Sequence, residues 1–429
     1  MGRKGRKMKK FLKNYWFILS MLAAIVGGCL TGFFWEGATC LEPLGTLFIN
    51  MMFCVVVPMV FVSTASAVAN MKSVRRSGSV IGTTILTFFV TALIAAVFMY
   101  LVTLVIPVTS GASVDAGEVE AASGLSVGEL VINFFTKPDF TELFSRKAIL
   151  PLIVAAIFFG YGIQMAGGPE NKVAQFLSSL NECLMNVVKI ISYYAPIGFF
   201  GFFAYLVATY GPGLIGNYSR TLITYYVICF VYMLIFFPLY ARFGGGKNGV
   251  RELFRHVFRP AVTAFGTCSS VATIPTNMKA AEETGIPKEV SDIVLPLGSS
   301  MHMDGSAMSA VIKVAFLFGM FGQDFTTGRA ILAIIVAVLA SVSMGGIPGG
   351  GGTSEMVLCT VFFPEQMAIA APIAIALGNL VDPAATMVNS AGDYAASFIV
   401  ARFTSGKDWL DKAVAARKEK KDSANGEEK

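Results

Sequence analysis

Charge is scarce in this chain. Asp, Glu, Lys and Arg make up 14% of its 429 residues and hydrophobic residues 55%, against about 25% charged in a soluble domain, which excludes an ordinary soluble fold. Histidine is nearly absent, with only His256 and His302. Two are too few for a His-rich metal cluster, and the seven cysteines are scattered through apolar runs with no C-x-x-C spacing, so they read as small buried hydrophobes. There is no G-x-x-x-x-G-K-[ST] phosphate loop to couple ATP directly. No A-x-A site follows the basic N-terminus, which excludes a cleaved signal peptide and leaves an uncleaved first span.

Long apolar runs are plentiful. After a basic stretch over residues 1–14, with seven Lys or Arg and no acid, apolar segments recur at about 15–34, 43–66, 82–106, 148–166, 187–209 and 219–241, each long enough to cross a bilayer. Lys72, Arg75 and Arg76 follow the second segment, Lys172 the fourth, and Arg242, Lys247, Arg251, Arg255 and Arg259 the sixth. The loop after the third holds Asp115, Glu118, Glu120, Glu129, Asp139 and Glu142 instead. This alternation gives six crossings from a cytoplasmic N-terminus, because positive loops stay inside. The polar end, 406–429, reads as a solvated cytoplasmic tail, so both termini face the cytoplasm of a multi-pass protein in the cell's inner (plasma) membrane.

Beyond Pro260 the pattern changes. Ala261–Thr276 is weakly apolar and runs into the charged stretch Lys279–Glu289, while Ala330–Ser343 reaches only about 21 Å before a glycine-rich run from Gly345 to Gly352. Both are too short to cross and return, so they read as re-entrant hairpins, which need protein or water around their tips. Between them, Val290–Phe321 is interrupted by Ser299–Ala307 (S-S-M-H-M-D-G-S-A), the mark of a broken helix whose carbonyls and helix ends hold cations. The hairpins share S-x-x-x-I-P, at Ser270–Pro275 and Ser343–Pro348, and each precedes a span with a buried acid, as in an inverted repeat. In the last span Asp382, Thr386, Asn389 and Asp393 project within about 60° of one another. That stripe is either polar glue between helices or an ion and solute route, and its two charges favour the route.

These residues carry a resemblance. V-V-P-M-V-F (Val56–Phe61), A-P-I-G (Ala195–Gly198), S-S-V-A-T-I-P (Ser269–Pro275), P-L-G-x-x-x-x-M-D-G-S-A (Pro296–Ala307), G-I-P-G-G-G (Gly346–Gly351) and M-V-N-S-A-G-D (Met387–Asp393) occur in order over nearly the whole chain. The chain resembles the dicarboxylate/amino acid:cation symporters of the glutamate-transporter fold. The resemblance implies an all-α integral membrane protein with eight transmembrane helices and two re-entrant hairpins, working as a homotrimer by an elevator mechanism and not as an enzyme. Spans 1, 2, 4 and 5 of residues 15–260 would form the trimerisation scaffold, and spans 3 and 6 would move with a transport core at 261–405. Ser269, Ser270 and the backbone of the first hairpin tip would hold a substrate carboxylate, and Gly346 would also bind substrate. Asp382 would take the substrate ammonium, with Thr386, Asn389 and position 385 beside it. Asp304, Met303, Ser341, Asn389 and Asp393 would hold sodium. Gly345, Gly346, Pro348, Gly349 and Gly350 would form the gate, where glycine changes φ and ψ at low steric cost.

The departures from the family pattern direct the substrate reading. An Arg that pairs with a second substrate carboxylate in acidic-substrate members is Ala385 here, and the alternative Arg position at the first hairpin is Cys268. The acid one turn before Asp382 is Gly378. Without the Arg, a second carboxylate is buried unpaired, so the expected function is import of small neutral amino acids such as serine, alanine or threonine. The alternative is an acidic amino acid or C4-dicarboxylate symporter, or an exchanger or anion-conducting relative with weakened sodium coupling. The family Asn before M-D-G is His302, a Thr of the second hairpin is Met344, and a Tyr of the third span aligns with Thr87. His302 is read as a neutral imidazole, with a proton site as the other option, so sodium is the expected coupling ion and a proton a second candidate. Lipid is the remaining partner, and no nucleic acid is expected.

Overall fold

The computed structural model describes residues 3–70, 78–109, 132, 136–145, 148–211, 213–343 and 351–417. Among them the chain is helical, with no strand. α1 (Arg3–Phe34), α2 (Glu42–Ala69), α3 (Gly78–Val105), α4 (Ile149–Met165), α5 (Lys172–Tyr210) and α6 (Gly213–His256) occupy the six predicted segments. α1 begins twelve residues before its apolar run, because Lys and Arg are good helix formers and no proline stands among them. The first hairpin is α7 (Phe258–Thr267) and α8 (Ser270–Thr284), and the broken span is α9 (Lys288–Met301) and α10 (Asp304–Met320). α11 (Thr327–Ser343) and α12 (Gly351–Phe362) are the arms of the second hairpin, and α13 (Met367–Ser405) is the last span.

Among the described residues four segments are long and apolar enough to cross a membrane: Ser79–Val105, Gly216–His256, Lys288–Met320 and Met367–Ser405. α5 makes a fifth, bent by 47° between Lys172–Ile191 and Tyr193–Thr209. The other three predicted spans fold as α1, α2 and α4, with shorter apolar stretches at Leu19–Phe34, Val57–Ser66 and Pro151–Met165.

Packing divides these helices into two groups. α5 lies along α1 and α2, and α4 lies on α2, whereas α13 is wrapped by α3, α6, α7, α9, α10 and α12. Small residues bring α1 and α5 together. A methyl at Gly28 or Gly32 would overlap the backbone of Phe200 or Ala204. In lipid no hydrophobic force draws apolar helices together, so backbone approach of this kind is what holds them.

α13 is largely buried, yet Pro372 and Pro383 each remove one of its backbone bonds. Tyrosines of α6 lie across it. Tyr226 donates its hydroxyl hydrogen to the Leu380 carbonyl at 2.8 Å, in the turn that Pro383 loosens, and Tyr218 donates to the Ile373 carbonyl at 2.6 Å. These bonds satisfy carbonyls that lipid could not.

The tail departs from the solvated reading. After Gly406 a further helix runs through residues 409–417. Trp409 and Leu410 are buried, and Trp409 Nε1 donates to the Gly244 carbonyl at 2.9 Å. Arg417 reaches the buried Glu252 carboxylate at 2.9 Å and the Glu283 carbonyl at 2.6 Å. The dock lies beside Gly246, whose φ of 63° and ψ of −142° break α6. Two apolar residues in a charged run are enough to seat it.

Candidate functional site

The tip of the first hairpin turns on one residue. Cys268 adopts φ 49° and ψ 35°, the sole non-glycine with positive φ among the described residues, and it ends α7. Ser269 follows in extended conformation and caps α8, its Oγ accepting from Ala272 N at 3.2 Å. Serine at an N-cap satisfies one orphan amide, and the remaining first-turn N–H groups favour an anion at that end. Ser270, the first residue of the helix, is buried.

The stripe on α13 is assembled as the spacing predicts. Asp382 is half-buried and accepts from the Thr386 hydroxyl at 3.1 Å, while Thr386, Asn389 and Asp393 are buried. Ala385 lies in the same stripe, where its small side chain lets Gly305 of α10 pack on the backbone; a methyl at 305 would overlap the Ala385 carbonyl. Asn389 has a structural duty in this state. Its Oδ1 accepts from Gly305 N at 2.7 Å and Ser306 N at 3.2 Å, and its Nδ2 donates to Ser306 Oγ at 3.0 Å. It thus caps the second half of the broken span from across the helix interface. Nδ2 also lies 3.3 Å from the Met303 sulfur, which brings Met303 into the same contact.

His302 joins the two acids that the sequence assigned to separate cation sites. Nδ1 lies 3.0 Å from Asp393 Oδ1, and Nε2 lies 2.9 Å from Thr91 Oγ1 and 3.2 Å from Asp304 Oδ1, all of them buried. Phe88 stacks on the imidazole with ring centroids 4.6 Å apart. Asp304 Oδ2 accepts from Tyr232, whose hydroxyl is 2.9 Å away. Glycines make this approach possible, because a methyl at Gly298 would overlap the Asp393 carboxylate and one at Gly392 would lie 2.8 Å from His302 Cε1. The third span supplies Thr91 and Phe88. Thr87 donates its hydroxyl hydrogen to the Thr83 carbonyl at 2.7 Å.

Among the described residues one buried carboxylate oxygen is open to a hard cation. Asp304 Oδ1 is buried and accepts no hydrogen bond among the described residues, although His302 Nε2 lies 3.2 Å from it. An oxygen of that kind suits sodium. The expected ligands Asn389 and Asp393 are already engaged with amides and imidazole. Gly345, Gly346, Pro348, Gly349 and Gly350 lie outside the described residues, as do Met344 and the side chain of Ser341.

Two charged residues escaped the sequence reading. Lys313 of α10 is paired with Glu355 of α12, both buried. The signal was present, for each is a lone charge in an apolar run, and an ionisable group at membrane depth calls for a function. Glu355 Oε2 also accepts from the Ser354 hydroxyl at 2.9 Å, and its carboxylate lies where a methyl at Gly378 would stand.

Half-helix ends, a capped hairpin tip and a buried acid stripe converging on one core are the apparatus of a carrier. The sodium:dicarboxylate symporter family model matches residues 17–403. The chain is 27% identical over 420 residues to a C4-dicarboxylate transport protein of Rhizobium leguminosarum, covering 96% of this chain and 94% of that one. Proteins of the same description from Rhizobium meliloti (strain 1021) and Solibacter usitatus (strain Ellin6076) are 26% identical over 406 residues and 24% over 405, each with more than nine-tenths of both chains covered. A polytopic helical chain with this core, matched from its first span to its last, belongs to the sodium:dicarboxylate symporter family and is a membrane transporter, not an enzyme.

Proposed function

We propose that this chain carries a C4-scale solute with two carboxylates, a C4 dicarboxylate or its amino form aspartate, across the membrane together with a cation. The observation that carries the reading is end-to-end likeness to relatives named C4-dicarboxylate transport proteins. It displaces the neutral amino acid reading as the first choice. The geometry supports one carboxylate at the amide end of α8, beside Ser269 and Ser270, where helix N-termini favour anions. It also supports an ammonium at Asp382, an accessible acid whose one described bond is to Thr386. Aspartate uses both groups, and succinate uses the first.

A neutral amino acid remains the second reading, favoured by Ala385 and Cys268 where an Arg would stand. Sodium is the proposed coupling ion, with Asp304 Oδ1 as its best-placed oxygen. A proton is the second candidate. Both nitrogens of His302 face carboxylates, and the imidazolium can donate to Asp393 and to Asp304 or Thr91 together. The homotrimer, the elevator motion, the scaffold role of α1, α2, α4 and α5 and the plasma-membrane address belong to this proposal as well.

Uptake of radiolabelled succinate, aspartate, alanine and serine into proteoliposomes, with sodium and proton gradients imposed separately, tests it. Saturable uptake of succinate or aspartate driven by sodium is the expected result. Uptake confined to alanine and serine would overturn the dicarboxylate reading, and uptake driven only by protons would transfer the coupling role to His302.

A further inference from the structure

A dicarboxylate needs a cation for its second carboxylate, and no Arg stands at 385 or 268. The face of α13 that carries Asp382 and Ala385 also carries Gly378, since spacings of four and seven residues return to one side of a helix. The missing side chain at 378 leaves room, and the carboxylate of Glu355 fills it from α12. Glu355 in turn holds Lys313 of α10. A buried acid and a buried cation thus occupy the end of the substrate stripe, contributed by two other helices.

We infer that Lys313 is the cationic subsite for the distal carboxylate of the substrate, with Glu355 as its fixed counter-ion. This rests on the dicarboxylate reading above. The placement follows from the helices. α10 runs antiparallel to α13, with Gly305 on Ala385 and Lys313 two turns further on, where it meets Glu355 beside Gly378. Long side chains on a helix lean toward its N-terminus, so the Lys313 stem points back toward Gly305 and the stripe.

The donor count also allows it. An ammonium has three N–H donors, and among the described residues Glu355 is its one acceptor. Lys313 can therefore bridge Glu355 and a substrate carboxylate without breaking the ion pair. The Ser354 hydroxyl already supports the other Glu355 oxygen at 2.9 Å and fixes the counter-ion in place. A pair present only to join α10 to α12 is the competing explanation. Buried pairs of that kind add little stability over apolar residues of the same size, so a structural role alone gives weak reason for two charges here.

The experiment compares Glu355→Gln with the double variant Lys313→Met/Glu355→Gln. Both lack the ion pair, and they differ only in the charge at 313. Uptake of succinate and aspartate is measured beside alanine in proteoliposomes, with the thermal midpoint of each purified protein as a check on folding. Glu355→Gln, which removes the counter-ion but leaves the cation, is expected to retain only part of dicarboxylate uptake. The double variant is expected to lose it by at least about 30-fold, as for a truncated buried charge partner, while alanine uptake is unchanged or increased relative to Glu355→Gln. Lys313→Arg, which keeps a positive charge of similar reach, is expected to retain succinate uptake.

Equal dicarboxylate uptake by the two Gln-bearing variants would overturn the assignment of Lys313, and so would equal loss of every substrate in both. Wild-type protein that imports no dicarboxylate would instead fail the functional reading itself, before any variant is compared.

Discussion

Buried acids in this protein are positioned by the absence of neighbouring side chains as much as by their partners. Asp393 reaches His302 because residue 298 is glycine, and His302 fits beside α13 because residue 392 is glycine. Gly298→Ala places a methyl onto the Asp393 carboxylate. The expected cost is about 1–3 kcal/mol of stability, as for other overpacked cores, together with at least a tenfold loss of uptake; thermal unfolding in detergent and proteoliposome transport measure the two. Asp382 invites a substrate-dependent test. Asp382→Asn removes the partner proposed for an ammonium, so aspartate uptake should fall by about tenfold or more while succinate uptake persists. Equal loss of both would show that Asp382 acts on the fold or on the cation instead.

The broken span depends on an end cap supplied by another helix. α10 begins at Asp304 with no side-chain cap from its own preceding residue, and Asn389 of α13 supplies the acceptor for Gly305 and Ser306 amides. Asn389→Ala should therefore cost about 1–2 kcal/mol, in the range of lost helix caps, even without substrate or sodium. If the midpoint of the ligand-free protein did not move while substrate affinity fell, the cap would be incidental and substrate contact the main role. The hydrophobic pattern revealed that helices 9 and 10 form one interrupted segment, because polar residues and glycine stand together at Ser299–Ala307. It contained no information on which residue of α13 would cap the break. That depends on two helices crossing in space.

For the molecule as a whole, the tail helix is the least anticipated contact. It buries Trp409 and Leu410 and sets Arg417 against Glu252, itself buried in α6. Ending the chain after Gly406 should lower stability by about 2–4 kcal/mol, from two apolar side chains and one charge partner, with substrate preference unchanged. Circular dichroism or a thermal shift on the truncated carrier reads the first, and competition between succinate and alanine reads the second. A truncated chain with an unaltered midpoint would mean that the dock contributes no net stability. The charge-rich composition of 406–429 hid this contact, since a window average treats two apolar residues among many charges as solvated chain.

The sequence by itself determined the membrane setting, the order of spans and hairpins and the polar face of α13, because these follow from local hydropathy and helical period. It also held the motifs that place the chain in its family. Only the tertiary structure decided which charges meet. His302 joins Asp304 and Asp393, Thr91 meets the same imidazole, and Lys313 meets Glu355 in the space left by Gly378. The physical reason is common to all three: an ion pair between helices is fixed by how the backbones pack, and a periodicity within one helix carries no record of its neighbour.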